Sequence, residues 1–435
     1  MNLSTASFLS ALGLGATFSP FEYLGLNQQP VAAVYEAGTL ASENPFLNAL
    51  PTEFEQLSIS FVRNNLAVIP GDWEAGDIKT SFYDIKSDHP TLQDALSTLK
   101  SSDFIAWHSS FLDFIGPNAK LERIQSFEGE PPTVHEAPAY VPETNELFFS
   151  DTQVTGWLWA IDVDSFQVVP LINDAECLKI MLIHLSSKTR KVETNPPLPN
   201  INGARYHQGR VYLTTNGGSA RGIWSLDPKD GTATPVVNNF RGRHLNSPND
   251  LAFDAQSNMW LTDPPYGWYQ GFPNVQSPQV PTGIYFFNMK TRALNVVSNN
   301  VVIMPNGLAF SPDGATLYVA DSNSTSGRPM EHHPASLRNV WAFDVKGSLL
   351  SNPRLIHQTE TGWPDGLQVT RNGYVLVAVF GGVDVIDPET GHLLGKINTP
   401  DDIVFNLEKG PRRGNERMWL LTGQKCIYRA IIKEP

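Results

Sequence analysis

A polar corner, an apolar strand, a Gly/Asn/Asp/Pro turn and a second apolar strand recur from residue 136 to residue 423 of this 435-residue chain. The first corners are Glu136-Ala137-Pro138 before YVPETNELFFSD, Asn202-Gly203 before RYHQGRVYLTTN and Asn249-Asp250 before AFDAQSNMWLTD. Asn306-Gly307 then precedes AFSPDGATLYVAD, Asp365-Gly366 precedes QVTRNGYVLVAV, and Phe405-Asn406 precedes LEKGPRRGNERMWLLTG. The corner residues are spaced by 66, 47, 57, 59 and 41 positions. A period of roughly 40–60 residues holding about four short strands is the signature of a propeller blade. The expectation is an all-β, six-bladed propeller over residues 102–435, preceded by an N-terminal extension over 1–101. Tandem β-sandwiches are the alternative, but they need linkers, and the Pro/Gly punctuation here lies inside the repeats.

Equivalent loops of successive blades converge around the central channel. Six corners would therefore place Glu136, Asn202, Asn249, Asn306, Asp365 and Asn406 around one mouth. Any single Asn-Gly is explained by turn chemistry, because Asn bonds its own backbone and tolerates left-handed conformations. A whole ring of oxygens is not, since Glu has no advantage in a turn.

Composition narrows what such a ring could hold. The formal charge is −13, from 31 basic and 44 acidic side chains, which disfavours a nucleic-acid partner and suits a small neutral or cationic ligand or a metal cation. Only Cys177 and Cys426 are present, so there is no disulfide framework and no thiolate cluster for zinc. They read as core thiols rather than as a bridge. No window reaches the roughly 18 consecutive apolar residues of a membrane span. The first twenty residues contain a weak signal-like apolar segment with no basic residue before it, the first being Arg63, and Asn323-Ser324-Thr325 is a glycosylation sequon. Together they leave the compartment open.

Carboxylate and amide oxygens without Cys suit Ca²⁺, which takes six to eight oxygen ligands in loose geometry. Glu136 and Asp365 would balance its charge, and Asn249 and Asn306 would add neutral donors. A cation with open positions polarises a carbonyl and activates water, which points to hydrolysis. Asp365, in the sharp corner Trp-Pro-Asp-Gly-Leu, is the candidate general base or nucleophile, with Glu136 as the anchoring ligand. His135 is a candidate proton-handling neighbour. Tyr266, Trp268 and Tyr269 could wall a substrate pocket, His207 and His244 stand near corners, and His332-His333 reads as a solvated loop. There is no Gly-x-Ser-x-Gly elbow, P-loop, dinucleotide fingerprint or His-Glu-x-x-His. A non-catalytic scaffold for a protein partner is the rival reading, and a hydrolase of the same fold acting on another ester, an anhydride or a phosphotriester is the third.

At HEAPAYVPETNELFFSD, NGARYHQGRVYLTTNG, FRGRHLNSPNDLAFDAQSNMWLTDPPYGW, MPNGLAFSPDGATLYVAD and WPDGLQVTRNGYVLVAVFGGVDVIDPETG the chain resembles the calcium-dependent gluconolactonase and senescence-marker-protein family. The likeness is closer to the fungal lactonohydrolases that open aldonate and pantoyl lactones. The resemblance implies a six-bladed propeller with calcium held by Glu136, Asn249, Asn306 and Asp365, a catalytic role for Asp365, and a lactone as the small-molecule substrate. It also aligns Asn202 with a polar corner that could contact substrate. Ala137 replaces the glycine of the common Glu-Gly-Pro corner, a change expected to matter little to the side-chain oxygen of the glutamate. The stretch 168–193 has no motif match, and a strand near FIAWHSSFLDFIG is expected to close the ring in the last blade.

Overall fold

The computed structural model describes residues 44–63, 66–127, 133–152, 156–164, 189–298 and 300–434. The signal-like segment, Cys177 and most of the unmatched stretch 168–193 lie outside them.

The structure is all-β with a propeller-like succession of sheets. Four antiparallel four-stranded sheets follow one another in the chain. They begin with His135–Val141, Ile201–His207, Leu251–Phe253 and Pro305–Phe310, and each next strand pairs with the one before. The repeated corner therefore sits at the start of an innermost strand or just before it. The remaining strands form one eight-stranded sheet organised by the long strand His392–Arg413. Up to Ile403 this strand pairs with Val375–Asp387, and from Val404 onward with Glu416–Gly423.

Packing between sheets is cyclic. Ala139 and Phe148 of the first sheet pack with Ala204 and Leu213 of the second, and Tyr212 and Ile223 with Leu251 and Tyr285 of the third. Trp260 and Ile284 then meet Leu308 and Val319, and Ala320 and Val340 meet Val375 and Val377. Val383 and Ile397 join Trp419 and Leu421, and Leu420 and Ile427 return to Leu147 and Phe149 of the first sheet. Burial of these alternating side chains is the main favourable term holding the sheets together.

The N-terminal strands corrected one expectation. Phe104–Ala106 pairs with Gly395–Ile397, beside the first half of the long strand, and Ile59–Phe61 adds parallel to it. The following residues Ser109–Ile115 form a helix, because Phe111, Leu112, Phe114 and Ile115 have helical spacing and all bury. The strand that joins the C-terminal Cys426–Lys433 is instead Lys120–Ser126, immediately before the first sheet.

The corner glycines also differ from simple turn chemistry. Gly203, Gly307 and Gly366 do not have positive φ. A Cβ on Gly307 would stand 2.6 Å from the Asp365 carbonyl, and one on Gly366 would stand 2.0 Å from Asn406 Oδ1. Glycine is there because each corner lies directly against the next, not because the backbone needs a left-handed turn. Register shifts within His135–Val141, Ile201–His207, Pro305–Phe310 and His392–Arg413 put a bulge at four of the corners. Such bulges re-aim side chains next to sites.

Candidate functional site

The corners converge on a cavity of about 290 Å³ lined by Glu136, Asn202, Asn249, Asn306, Asp365 and Tyr266. Each of these side chains is buried. A larger groove of about 1030 Å³ lies elsewhere among Ser311–Asp313, Arg354–Ile356 and Arg371–Tyr374, but it is built mainly from strand ends and surface turns and brings no such set together.

Local hydrogen bonds fix the mouth residues. Asn406 Nδ2 donates to Glu136 Oε2 at 3.1 Å, and Trp363 Nε1 donates to Asp365 Oδ2 at 3.0 Å. Asn306 Nδ2 donates to Ser322 Oγ at 3.0 Å, and Ser322 in turn donates to the Pro364 carbonyl at 2.6 Å. Asn202 Nδ2 donates to the Asn249 carbonyl at 3.2 Å while its Oδ1 accepts from Asn216 Nδ2 at 2.6 Å. Arg205 Nη1 donates to Glu408 Oε2 at 2.6 Å, and its Nη2 stands 3.8 Å from Asp250 Oδ1. That arginine ties three inner strands together under the mouth.

Burial raises the two mouth carboxyls, as it raises other buried acids such as Asp263. Burial pushes Glu136 well above the usual carboxylate range, and the nearby Asp365 and Asp250 push it further. Burial likewise raises Asp365 to about 7, against hydrogen bonds from Trp363 and Asn306 that favour its charged form. Two acids without a facing cation are costly to ionise. Their donor set, two carboxylates with Asn249 and Asn306 amides, fits a hard divalent cation. Among the described residues no group of three or more His, Cys, Asp or Glu is arranged to hold a metal, so any metal here would depend on the amides.

The remaining sequence candidates separate by place. His135 is buried beside the mouth but is not among the residues lining the cavity. Its ring stacks on Phe127 at 4.0 Å, its Nδ1 lies 2.7 Å from the Gly423 carbonyl, and burial lowers its pKa to about 4. Adjacent strand residues face opposite ways, so Glu136 enters the cavity and His135 turns from it. Tyr266 and Trp268 share the single turn Tyr266–Tyr269. A two-residue step rotates about 200°. Tyr266 lines the cavity, whereas Trp268 lies under the Arg328 guanidinium, 3.8 Å from its ring centre. His244 is exposed and borders a separate small cleft with Arg221. His207 stacks on Phe253 at 4.0 Å, away from the cavity lining.

Several lining residues were not singled out as site residues. His332 lies on the short hairpin of Thr325–Ser326 and Glu331–His332, its ring stacked at 5.3 Å on Trp363, and Trp363 meets Phe380 edge-on at 4.6 Å. Lys79, from the segment before the propeller-like sheets, also lines the cavity. The His332-His333 pair and the Trp-Pro-Asp-Gly corner were the available signals for His332 and Trp363, but nothing in the sequence pointed to Lys79.

Residues 134–410 match the family described as SMP-30/Gluconolactonase/LRE-like region. The lactonohydrolase oryL of Aspergillus oryzae is 31% identical over 367 residues, covering 80% of this chain and 77% of that protein. A gluconolactonase of Zymomonas mobilis is 28% identical over 46% of this chain and 54% of its own length. A solved gluconolactonase from Xanthomonas campestris aligns with a TM-score of 0.58 at 25% identity, covering 75% of this chain and 94% of its own. With that match over most of its length, the chain belongs to the SMP-30/gluconolactonase/LRE-like family of lactonase-type hydrolases.

Proposed function

We propose that this protein is a calcium-dependent lactonase whose active site is the converged corner ring. In this reading the two halves of the eight-stranded sheet are separate blades, six in all, and residues 102–435 are the catalytic domain. Cyclic packing of the apolar clusters supports that count. The observation that carries the function is the meeting of Glu136 and Asp365 with Asn249 and Asn306 in one small cavity. These four would hold Ca²⁺, and the bound ion would polarise the lactone carbonyl.

The chain's own residues supply positioning and proton transfer. Tyr266, Trp363, Phe380 and Phe405 line the cavity and exclude bulk water from a small ring. Asp365, oriented by Trp363 Nε1, takes a proton from the water that attacks the lactone carbonyl. The ring C–O bond then breaks, and the proton passes to the departing alkoxide, leaving a hydroxy acid. Glu136 is held in place by Asn406 and does not move protons. Asn202, fixed between Asn216 and the Asn249 carbonyl, borders the substrate.

Proton release from a panel of five- and six-membered lactones, measured on chelated protein with and without Ca²⁺, tests this reading. Calcium-restored opening is expected. Absence of turnover of every lactone at saturating calcium would overturn it.

A further inference from the structure

We propose, resting on the lactonase reading, that Lys79 forms a second recognition element in the same cavity and that the preferred lactone carries a carboxylate. The segment that bears Lys79 is held at the mouth by specific bonds. Asp77 Oδ1 accepts from the Lys79 amide at 2.7 Å and from Thr80 Oγ1 at 3.2 Å, which folds a tight turn around the lysine. The Ile78 carbonyl accepts from Thr361 Oγ1 at 2.9 Å and from the Gly362 amide at 2.5 Å. Those two donors immediately precede Trp363, which bonds Asp365. A segment outside the repeated units is thus tied to the corner that carries the catalytic candidate.

Charge is what makes this placement informative. Among the described residues lining the cavity, Lys79 is the one with a permanent positive charge. None of the ion pairs found among the described residues includes it, and neighbouring Asp77 uses an oxygen in its own turn. The ammonium acts on the cavity wall: burial lowers the pKa of His332, and Lys79 and His333 lower it further against Asp77. In a chain of net charge −13 a lone cation at the mouth offsets a field that would repel an anion. In the lactonase reading Glu136 and Asp365, which line the same cavity, make its metal end. The cavity therefore has, in this reading, a cation-binding end for the reacting carbonyl and the exposed Lys79 among its other lining residues. A lactone with a carboxylate substituent matches both, whereas a neutral lactone leaves Lys79 unused.

The test uses the calcium-loaded full chain and a five-membered lactone bearing a ring carboxylate, compared with its carboxamide. The expected result is a kcat/KM preference for the carboxylate that falls about tenfold in Lys79→Met, chiefly through KM, and further in Lys79→Glu. Lys79→Arg should restore it, and added salt should weaken it. A preference unchanged in both Lys79→Met and Lys79→Glu, or a wild type that favours the carboxamide, overturns the proposal. Calorimetric titration of the two compounds separates this from the underlying activity. If wild type opens neither compound, the lactonase reading loses its support. Lys79-dependent binding of the carboxylate would even then uphold the anion subsite, and equal or absent binding would sink it.

Discussion

Two buried acidic groups in this molecule have opposite electrostatic fates. Burial would push Asp384 up, but the Lys396 ammonium at 2.8 Å and His357 at 3.4 Å overcome it and hold the carboxyl at about 2. Asp365 is just as deeply placed and is pushed up to about 7, with Glu136 raised beside it. Burial is shared, so the difference is the counter-charge. Asp384 has its counter-charge inside the fold, in the fully buried Lys396. Among the described residues no cationic group offsets the raised corner pair, and under the proposed function a bound cation would supply that counter-charge.

Glu136→Gln and Asp365→Asn should break the comparison most sharply. Each is expected to lower kcat by at least about 10²-fold in lactone hydrolysis. Neither should weaken the calcium-free protein, because each removes a repelling charge, and a large drop in calcium-free melting temperature would contradict the incomplete-site view. Lys396→Met should do the reverse. Stranding Asp384 without its ammonium is expected to cost about 3–5 kcal/mol in denaturant unfolding, and an unchanged midpoint would show that the pair is dispensable.

Calcium itself should separate the two groups at the next level of effect. At a free concentration about 100 times Kd, the ion should add about 2.7 kcal/mol to wild-type stability. The same titration should leave the melting of Glu136→Gln nearly unmoved; equal stabilisation of both proteins would place the ion elsewhere. For pH the sign follows from the depressed group. Asp384 adds stability above its ordinary value of 3.8, and that contribution is lost as pH falls through about 2. Two pKa units correspond to about 2–3 kcal/mol. The stability gap between wild type and Asp384→Asn should therefore close between those values, and a gap independent of acid would rule out the assignment.

The smallest expected effect lies at Ala137, next to Glu136. Its φ is +56°, so the alanine that follows the glutamate occupies a left-handed conformation. The alanine that stands where the common corner of the family has glycine carries backbone strain at a corner of the site. Ala137→Gly should stabilise the fold by up to about 1 kcal/mol in denaturant unfolding. A loss of stability would mean that the buried methyl outweighs the strain.

The corner candidates were legible because a repeat turns distant positions into equivalent ones, and Glu136, Asn202, Asn249, Asn306 and Asp365 all line the cavity. Proximity along the chain was a poorer guide. His135 neighbours Glu136 but turns away by strand alternation, and Trp268 shares a helical turn with Tyr266 but leaves by its opposite side.

Sequence alone determined the repeated β units, the family and the oxygen-rich corners, since strand periodicity and turn residues are local properties. Only the tertiary structure decided why the corner glycines are needed, how one strand serves both halves of the eight-stranded sheet, and that Lys79 and His332 reach the cavity. Those outcomes depend on which distant backbones touch, and such contacts form only when the sheets pack.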